Sequence, residues 1–228
     1  MPETILVTGA TGTVGSEVVK QLVSSSPDKN EIIIKAAIHS QNKDDNFKRY
    51  NESVQSVNLD YNKPETIADA LNQVDKLFLL TSPSPDMTVY SNFVKEIRKY
   101  DSDINHIVKL SSMAANDDEE IGLATTIGRI HREEEEIIEE SGIPFTSLRP
   151  TAFMQNFVTQ FGYTIRTQDA FYIPAGDAKL SFIDAIMEFY SIIKAGHASN
   201  TTNVFEELMG RRPITFSQFA RDYAQAFK

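Results

Sequence analysis

Along the first 150 positions, short apolar runs rich in β-branched residues alternate with stretches of helical periodicity. Ile5 to Thr8 reads as a buried strand, and Val14, Val18, Val19, Leu22 and Val23 then fall on one helical face. Ile32 to Ile38 is a second strand, reached through a turn over Ser24 to Asn30. The alternation continues with a strand at Ser53 to Leu59, a helix at Pro64 to Leu71 opened by its proline, and a strand at Asp75 to Leu80. A helix near Met87 to Tyr100, a strand at Ile104 to Leu110, a helix near Ile127 to Glu140 and a strand at Phe145 to Leu148 complete the series. Five or six strands separated by helices predict an α/β fold, a doubly wound, Rossmann-like parallel sheet covered on both faces, because such crossovers are right-handed. After Pro150 the alternation weakens and Phe153 to Phe171 is aromatic-rich. Residues 1–150 are therefore expected to be the nucleotide-binding core, and 151–228 a small substrate-side lobe packed on the same domain.

Composition narrows the function classes. The chain has 228 residues with 41% hydrophobic and 24% charged positions, ordinary for a globular protein. No apolar run is long enough to span a bilayer, so no membrane contact is expected. Twenty-two basic against thirty-two acidic residues give a net charge of -10, which repels a phosphate backbone and argues against nucleic acid as a partner. The lack of cysteine removes disulfides, thiolate metal sites and thiol nucleophiles. Met1 to Thr4 leads straight into Ile5-Leu6-Val7 without a signal pattern, so a cytoplasmic location is expected. Asp117 to Glu120 reads as a solvated acidic loop.

In a doubly wound sheet the ligand crevice lies beyond the strand C-termini, here the loops beginning at Gly9, His39, Asp60, Thr81, Ser111 and Arg149. The first loop, Gly9-Ala10-Thr11-Gly12-Thr13-Val14-Gly15, places Gly-x-x-Gly-x-x-Gly between a strand and a helix. Gly9 serves the tight turn, Gly12 lets backbone amides approach a pyrophosphate, and Gly15 allows close packing of helix on strand. The helix start adds unpaired N–H groups for the anion. At the end of the second strand the run Ile38-His39-Ser40-Gln41-Asn42-Lys43 carries no acid for a ribose 2′-hydroxyl. His39, Ser40 and Lys43 tolerate a 2′-phosphate, which favours NADP over NAD, although Lys43 is read equally well as a solvated loop residue. Asp60 is placed either to meet an adenine edge or to cap the helix before Pro64.

Several segments carry a family resemblance: Val7-Thr8-Gly9-Ala10-Thr11-Gly12, Leu79-Leu80-Thr81-Ser82-Pro83, Lys109-Leu110-Ser111-Ser112, and Ser141 to Thr146 followed by Leu148-Arg149-Pro150-Thr151-Ala152-Phe153-Met154-Gln155-Asn156. From Ile5 to about Ala185 the chain resembles the NmrA-like family of atypical short-chain dehydrogenases/reductases. The resemblance implies that Thr81, Ser111 and Pro150 to Phe153 line a dinucleotide near its nicotinamide end. The Tyr-x-x-x-Lys pair of standard short-chain dehydrogenases is absent, with Ile127 in the tyrosine register and His131 in the lysine register. His131 could hold a ribose or relay a proton, or be a helix histidine paired with Glu135 at i+4. Ser111 and Ser112 could polarise a carbonyl or simply bond to backbone. Glu133 to Glu136, with Glu139 and Glu140, are expected on a solvated helix face, and His131 with Glu135 lacks a third metal ligand. Family members usually continue from a segment like Ser181 to Ala185 into several further elements. Here Ile186-Met187-Glu188 follows at once, so several tens of residues are expected to be missing from the substrate-side lobe.

Three functions fit. The first is an NADPH-dependent reductase of a quinone-like or other conjugated small molecule, with Phe153, Phe157, Phe161, Tyr163 and Phe171 walling the acceptor pocket and a proton coming from solvent or His131. The second is a non-catalytic NADP(H) redox sensor that acts on a regulatory protein partner. An epimerase with tightly held NAD is the weakest, because the tyrosine is missing.

Overall fold

The structure is a computed structural model that describes residues 2–25, 32–39, 47, 50, 53–81, 87–99, 104–115, 125–151, 153–170 and 202–228. Lys43, the acidic loop at 117–120, Ala152, Phe171 and the junction after Ala185 lie outside the described residues. The strands are β1 (Glu3–Val7), β2 (Ile32–Ile38), β3 (Val54–Asn58), β4 (Lys76–Leu79), β5 (His106–Leu110) and β6 (Phe145–Leu148). They form one six-stranded sheet, every pairing parallel, in the order β3-β2-β1-β4-β5-β6. The expected doubly wound sheet is therefore present. Its strand order reverses between β1 and β4, so the loops leaving these two adjacent strands define the ligand crevice of such a sheet.

Four helices serve as crossovers: α1 (Thr13–Ser25), α2 (Pro64–Leu71), α3 (Met87–Lys99) and α4 (Thr126–Ser141). Pro64 begins α2, where a missing N–H costs nothing. Two buried clusters pack against the sheet. One joins Leu6, Leu77, Leu79 and Ile107 to Ile67 and Leu71 of α2, Phe93 and Ile97 of α3, and Ile138 of α4. The other joins Val7, Ile34, Ala36 and Ile38 to Val19 of α1. Successive residues of a strand point to opposite faces, so Leu6 and Val7 place these clusters on the two sides of the sheet. Each fully buried aliphatic side chain contributes roughly 1.5–3 kcal/mol.

The chain divides into two compact units, Met1–Ala115 with Ile127–Arg149, and Asn116–Thr126 with Pro150–Lys228. The described part of the second unit is helical: α5 (Asn156–Thr159), α6 (Gly162–Gln168), α7 (Val204–Met209), α8 (Phe216–Asp222) and a closing 3-10 turn at Ala224–Phe227. Thr215 starts α8 by accepting the Gln218 N–H at 3.1 Å. Among the described residues no helix is long and apolar enough to cross a membrane.

Candidate functional site

The glycine loop leaves β1 in a conformation that its sequence imposes. Gly9 has φ of +57°, the left-handed region. Gly12 N–H donates back to the Gly9 carbonyl at 2.9 Å, closing the turn. A Cβ on Gly15 would lie 2.3 Å from the Gly9 carbonyl oxygen and 2.9 Å from the Ala10 Cα, so no side chain fits there. The first helical bond of α1 runs from Ser16 N–H to the Gly12 carbonyl, which leaves the Thr13, Val14 and Gly15 amides without an intrahelical acceptor. No acidic residue occupies the first turn of α1, and Gly9, Gly12 and Thr13 are exposed while Ala10 is buried. This exposed helix start fits a dinucleotide pyrophosphate: free amides, the positive end of the helix dipole and glycine-lined access coincide.

Beside the loop, Thr8 ties β1 to β4. Its hydroxyl accepts the Leu80 N–H at 2.7 Å and donates to the Leu80 carbonyl at 2.8 Å, fixing the two chain ends at the reversal of strand order. His39 is exposed at the end of β2, 3.9 Å from the Asp60 carboxylate. Asp60 itself accepts from the Asn62 N–H at 3.0 Å and pairs with Lys63 at 3.5 Å. The Asn62 amide, foremost, with Lys63 and His39, holds its carboxyl below the usual range. Asp60 thus sits in a turn ahead of α2, whose N-cap position is Lys63.

The largest departure from expectation is on α4. Glu133, Glu136, Glu139 and Glu140 are exposed as expected, but Glu134 and Glu135 are buried, so the solvated glutamate face is corrected for these two. Ile130, Glu134 and Ile138 recur at i+4 and share the buried face of the helix. Lys109, fully buried in β5, meets Glu134 Oε2 at 2.7 Å, the Leu110 carbonyl at 2.6 Å and Thr81 Oγ1 at 3.1 Å. His131 joins this group through Nδ1, 3.1 Å from Glu134 Oε2 and 3.4 Å from Lys109 Nζ. Its carboxylate partner is therefore Glu134 at i+3, not Glu135 at i+4.

Glu135 belongs to a second cluster. Arg149 donates to both its oxygens, from Nε at 3.1 Å and from Nη2, with Arg132 at 3.7 Å. The buried hydroxyls of Ser111 and Ser147 bear on the same carboxylate, although neither closes a hydrogen bond of ordinary geometry. Ser112 accepts the Ala114 N–H at 3.2 Å and so closes a turn. The structure thus brings His131 and Thr81 together through Lys109 and Glu134, and turns Ser111 towards Glu135. Pro150 and Thr151 follow β6 directly in the chain, and Thr151 is exposed. In the second unit, Phe157 packs on Phe161 and Phe216 and lines an apolar cavity of about 340 Å³ with Ile165, Phe219 and Phe227. Phe153 and Tyr163 are exposed.

The buried carboxyls carry a pH signature. Burial pushes Glu134 and Glu135 upward, but their donors more than offset it, His131 and Lys109 for the first and Arg149 for the second, leaving both below the ordinary range. The folded state then binds fewer protons than the unfolded chain, so the contribution is complete above the unfolded value of about 4.3 and is lost as pH falls through the folded values. Glu135→Gln is expected to lower the melting temperature at pH 7, with the gap from the parent protein closing below about pH 4. Thermal melts from pH 3 to 8 check this; a gap that is constant with pH would contradict it.

The residues of this site to which the sequence alone assigns no part in it are Thr8, Lys109 and Glu134. A lysine in the apolar strand His106-Ile107-Val108-Lys109-Leu110 and a glutamate spaced by four from Ile130 and Ile138 were the available signals.

Comparisons with known proteins place this geometry. The model of a family described as NAD(P)H-binding matches residues 9–174. An NAD(P)H azoreductase from Xenophilus azovorans is 32% identical over 197 residues, 85% of this chain and 64% of that protein, so the chain spans just under two thirds of this relative's length. Among solved structures, the triphenylmethane reductase of Citrobacter sp. complexed with NADP(H) superposes with a TM-score of 0.74 at 19% identity, covering 96% of this chain and 99% of that one. The NADPH-dependent quinone oxidoreductase of Escherichia coli, complexed with NADPH, gives 0.70 at 17% identity over 96% of this chain and 99% of that one. At these identities the two structures establish the shared fold. The match over most of the sheet, the glycine loop included, makes the chain a member of the family described as NAD(P)H-binding.

Proposed function

We propose that this chain is an NADPH-dependent reductase of a quinone-like or other conjugated small molecule. The observation that carries the reading is the pairing, in one unit, of an exposed glycine cradle after β1 with a buried Lys109-Glu134-His131 cluster that reaches Thr81 at the end of the neighbouring strand β4. A bound nicotinamide cofactor would supply the hydride. The chain's own residues do the rest. The Thr13, Val14 and Gly15 amides hold the pyrophosphate, and His39, exposed at the end of β2 with the Asp60 carboxylate 3.9 Å away, is the side chain offered to a 2′-phosphate. His131 supplies the proton that an acceptor needs alongside the hydride. Thr81, at the end of β4, faces the nicotinamide end. The azoreductase, triphenylmethane reductase and quinone reductase likenesses all support an extended, electron-poor acceptor.

The test is turnover by the purified chain of a quinone, an azo dye and a cationic triphenylmethane dye, each with NADPH and with NADH. Turnover of at least one acceptor is expected, with kcat/KM for NADPH about tenfold or more above that for NADH, worth about 1.4 kcal/mol. His131→Ala is expected to lower kcat on the quinone about 100-fold, the lower range for a general acid. NADPH binding with no turnover of any acceptor would overturn the reductase and favour a redox sensor acting on a protein partner.

A further inference from the structure

Burial pushes Lys109 down, but the Glu134 carboxylate at 2.7 Å opposes this, and as an ammonium its three protons meet three oxygens: Glu134 Oε2, the Leu110 carbonyl at 2.6 Å and Thr81 Oγ1 at 3.1 Å. Nothing remains for the fourth neighbour, His131 Nδ1 at 3.4 Å. A bare Nδ1 would point its lone pair at a carboxylate oxygen only 3.1 Å away. The proton must therefore sit on Nδ1 and be donated to Glu134. The Thr81 hydroxyl, already an acceptor for the ammonium, also bears on the Glu134 carboxylate and helps to hold it low. His131 Nε2 has no hydrogen-bond partner among the described residues, on a ring that keeps 10% of its surface exposed.

We propose that Glu134 and Lys109 are positioning residues that lock His131 in the Nδ1–H tautomer, so that Nε2 is the nitrogen that gives and regains the working proton. This rests on the reductase reading for its use. The imidazolium Nε2–H bond breaks as the acceptor, already carrying the hydride, takes the proton. The ring is left neutral, still donating Nδ1–H to Glu134, and water returns a proton to Nε2. A carboxylate that fixes a histidine by its inner nitrogen orients the ring and stabilises the imidazolium, the logic of carboxylate–histidine pairs in general. Lys109 acts one step further back, holding the carboxylate in place. Among the described residues, the charged groups against the ring are Lys109 from β5 and Glu134 from α4. The buried Tyr61 and Tyr90 phenols, both pushed above the usual range by burial, sense the Glu134 charge and stay neutral.

The tautomer is read directly from the imidazole 15N resonances of labelled protein across a pH series. The chain has four histidines, and the His131 signals are assigned by their loss in His131→Asn. In the neutral ring the proton is expected on Nδ1. In the double variant Lys109→Met/Glu134→Leu, which removes both charges together and so leaves no orphaned ion, it is expected to move mainly to Nε2. A neutral wild-type ring protonated on Nε2 overturns the proposal, as does a double variant whose tautomer is unchanged. If the double variant does not fold, the wild-type spectrum decides alone. Because no acceptor is present, this result stands whether or not the chain turns anything over. The kinetic counterpart uses Glu134→Gln and two acceptors: a quinone needs a proton with its hydride, whereas a triphenylmethane cation needs the hydride alone. The quinone-to-dye ratio of kcat is expected to fall tenfold or more, and an unchanged ratio would count against Nε2 as the working donor.

Discussion

Gly15→Val is expected to abolish measurable NADPH binding while leaving a folded, less stable sheet. The new Cβ would stand 2.3 Å from the Gly9 carbonyl oxygen, 2.7 Å from the Gly9 carbonyl carbon and 2.9 Å from the Ala10 Cα. All three are backbone atoms, so nothing flexible can swing aside and the loop itself must move. That loop is a turn already committed by a left-handed Gly9 and the Gly12-to-Gly9 bond, and its movement misaligns the free amides of Thr13 and Val14. Overpacking of this kind costs about 1–3 kcal/mol of stability. Losing two or more charge-assisted bonds to a pyrophosphate, each worth about 1.5–3 kcal/mol, weakens the nucleotide at least 100-fold. Fluorescence titration with NADPH checks this, together with a thermal melt of the same sample. Affinity within threefold of the parent would place the pyrophosphate elsewhere.

Lys109→Met is expected to have the largest effect on stability. It leaves Glu134, 2% exposed, as a buried carboxylate that keeps the His131 ring at 3.1 Å as its partner. Removing one partner of a buried pair costs about 3–5 kcal/mol, because the survivor keeps its desolvation penalty and loses its compensation. For a chain of this size that is a drop of roughly 6–20 °C in Tm. Adding Glu134→Gln removes the stranded charge, so the double variant is expected to recover more than half of the loss. Melts of the single and double variants at pH 7 give the comparison. A double variant less stable than Lys109→Met would mean that the Glu134 charge is not the cost, and the pairing scheme around His131 would have to be abandoned.

The sheet was legible in the sequence because parallel strands buried on both faces read as continuous apolar runs. Ile32–Ile38, Pro64–Leu71 and Phe145–Leu148 agree with the structure at both ends, while β1 and β5 are displaced by a residue or two where polar flanks make the boundary ambiguous. The glycine loop was legible for a similar reason, since only glycine meets its steric demands. The α4 cluster was not. A run of glutamates looks solvated unless each is assigned to a face, and Glu134 and Glu135 are turned inward by Ile130 and Ile138 on either side. Lys109 was hidden differently. A buried lysine needs partners from other elements, here Thr81 after β4 and Glu134 of α4, and no local pattern along β5 announces them. Beyond Pro150 the short helices α5 to α8 offer too few turns for periodicity to register.

Hydride transfer itself gives the most direct test. NADPH carrying deuterium at both C4 positions is mixed with the chain and a cationic triphenylmethane dye, and the colourless product is examined by mass spectrometry and NMR. The account predicts one deuterium on the central carbon of the product, and a slower reaction than with unlabelled NADPH when transfer limits the rate. NADPH bound tightly but no deuterium found in the dye would contradict it.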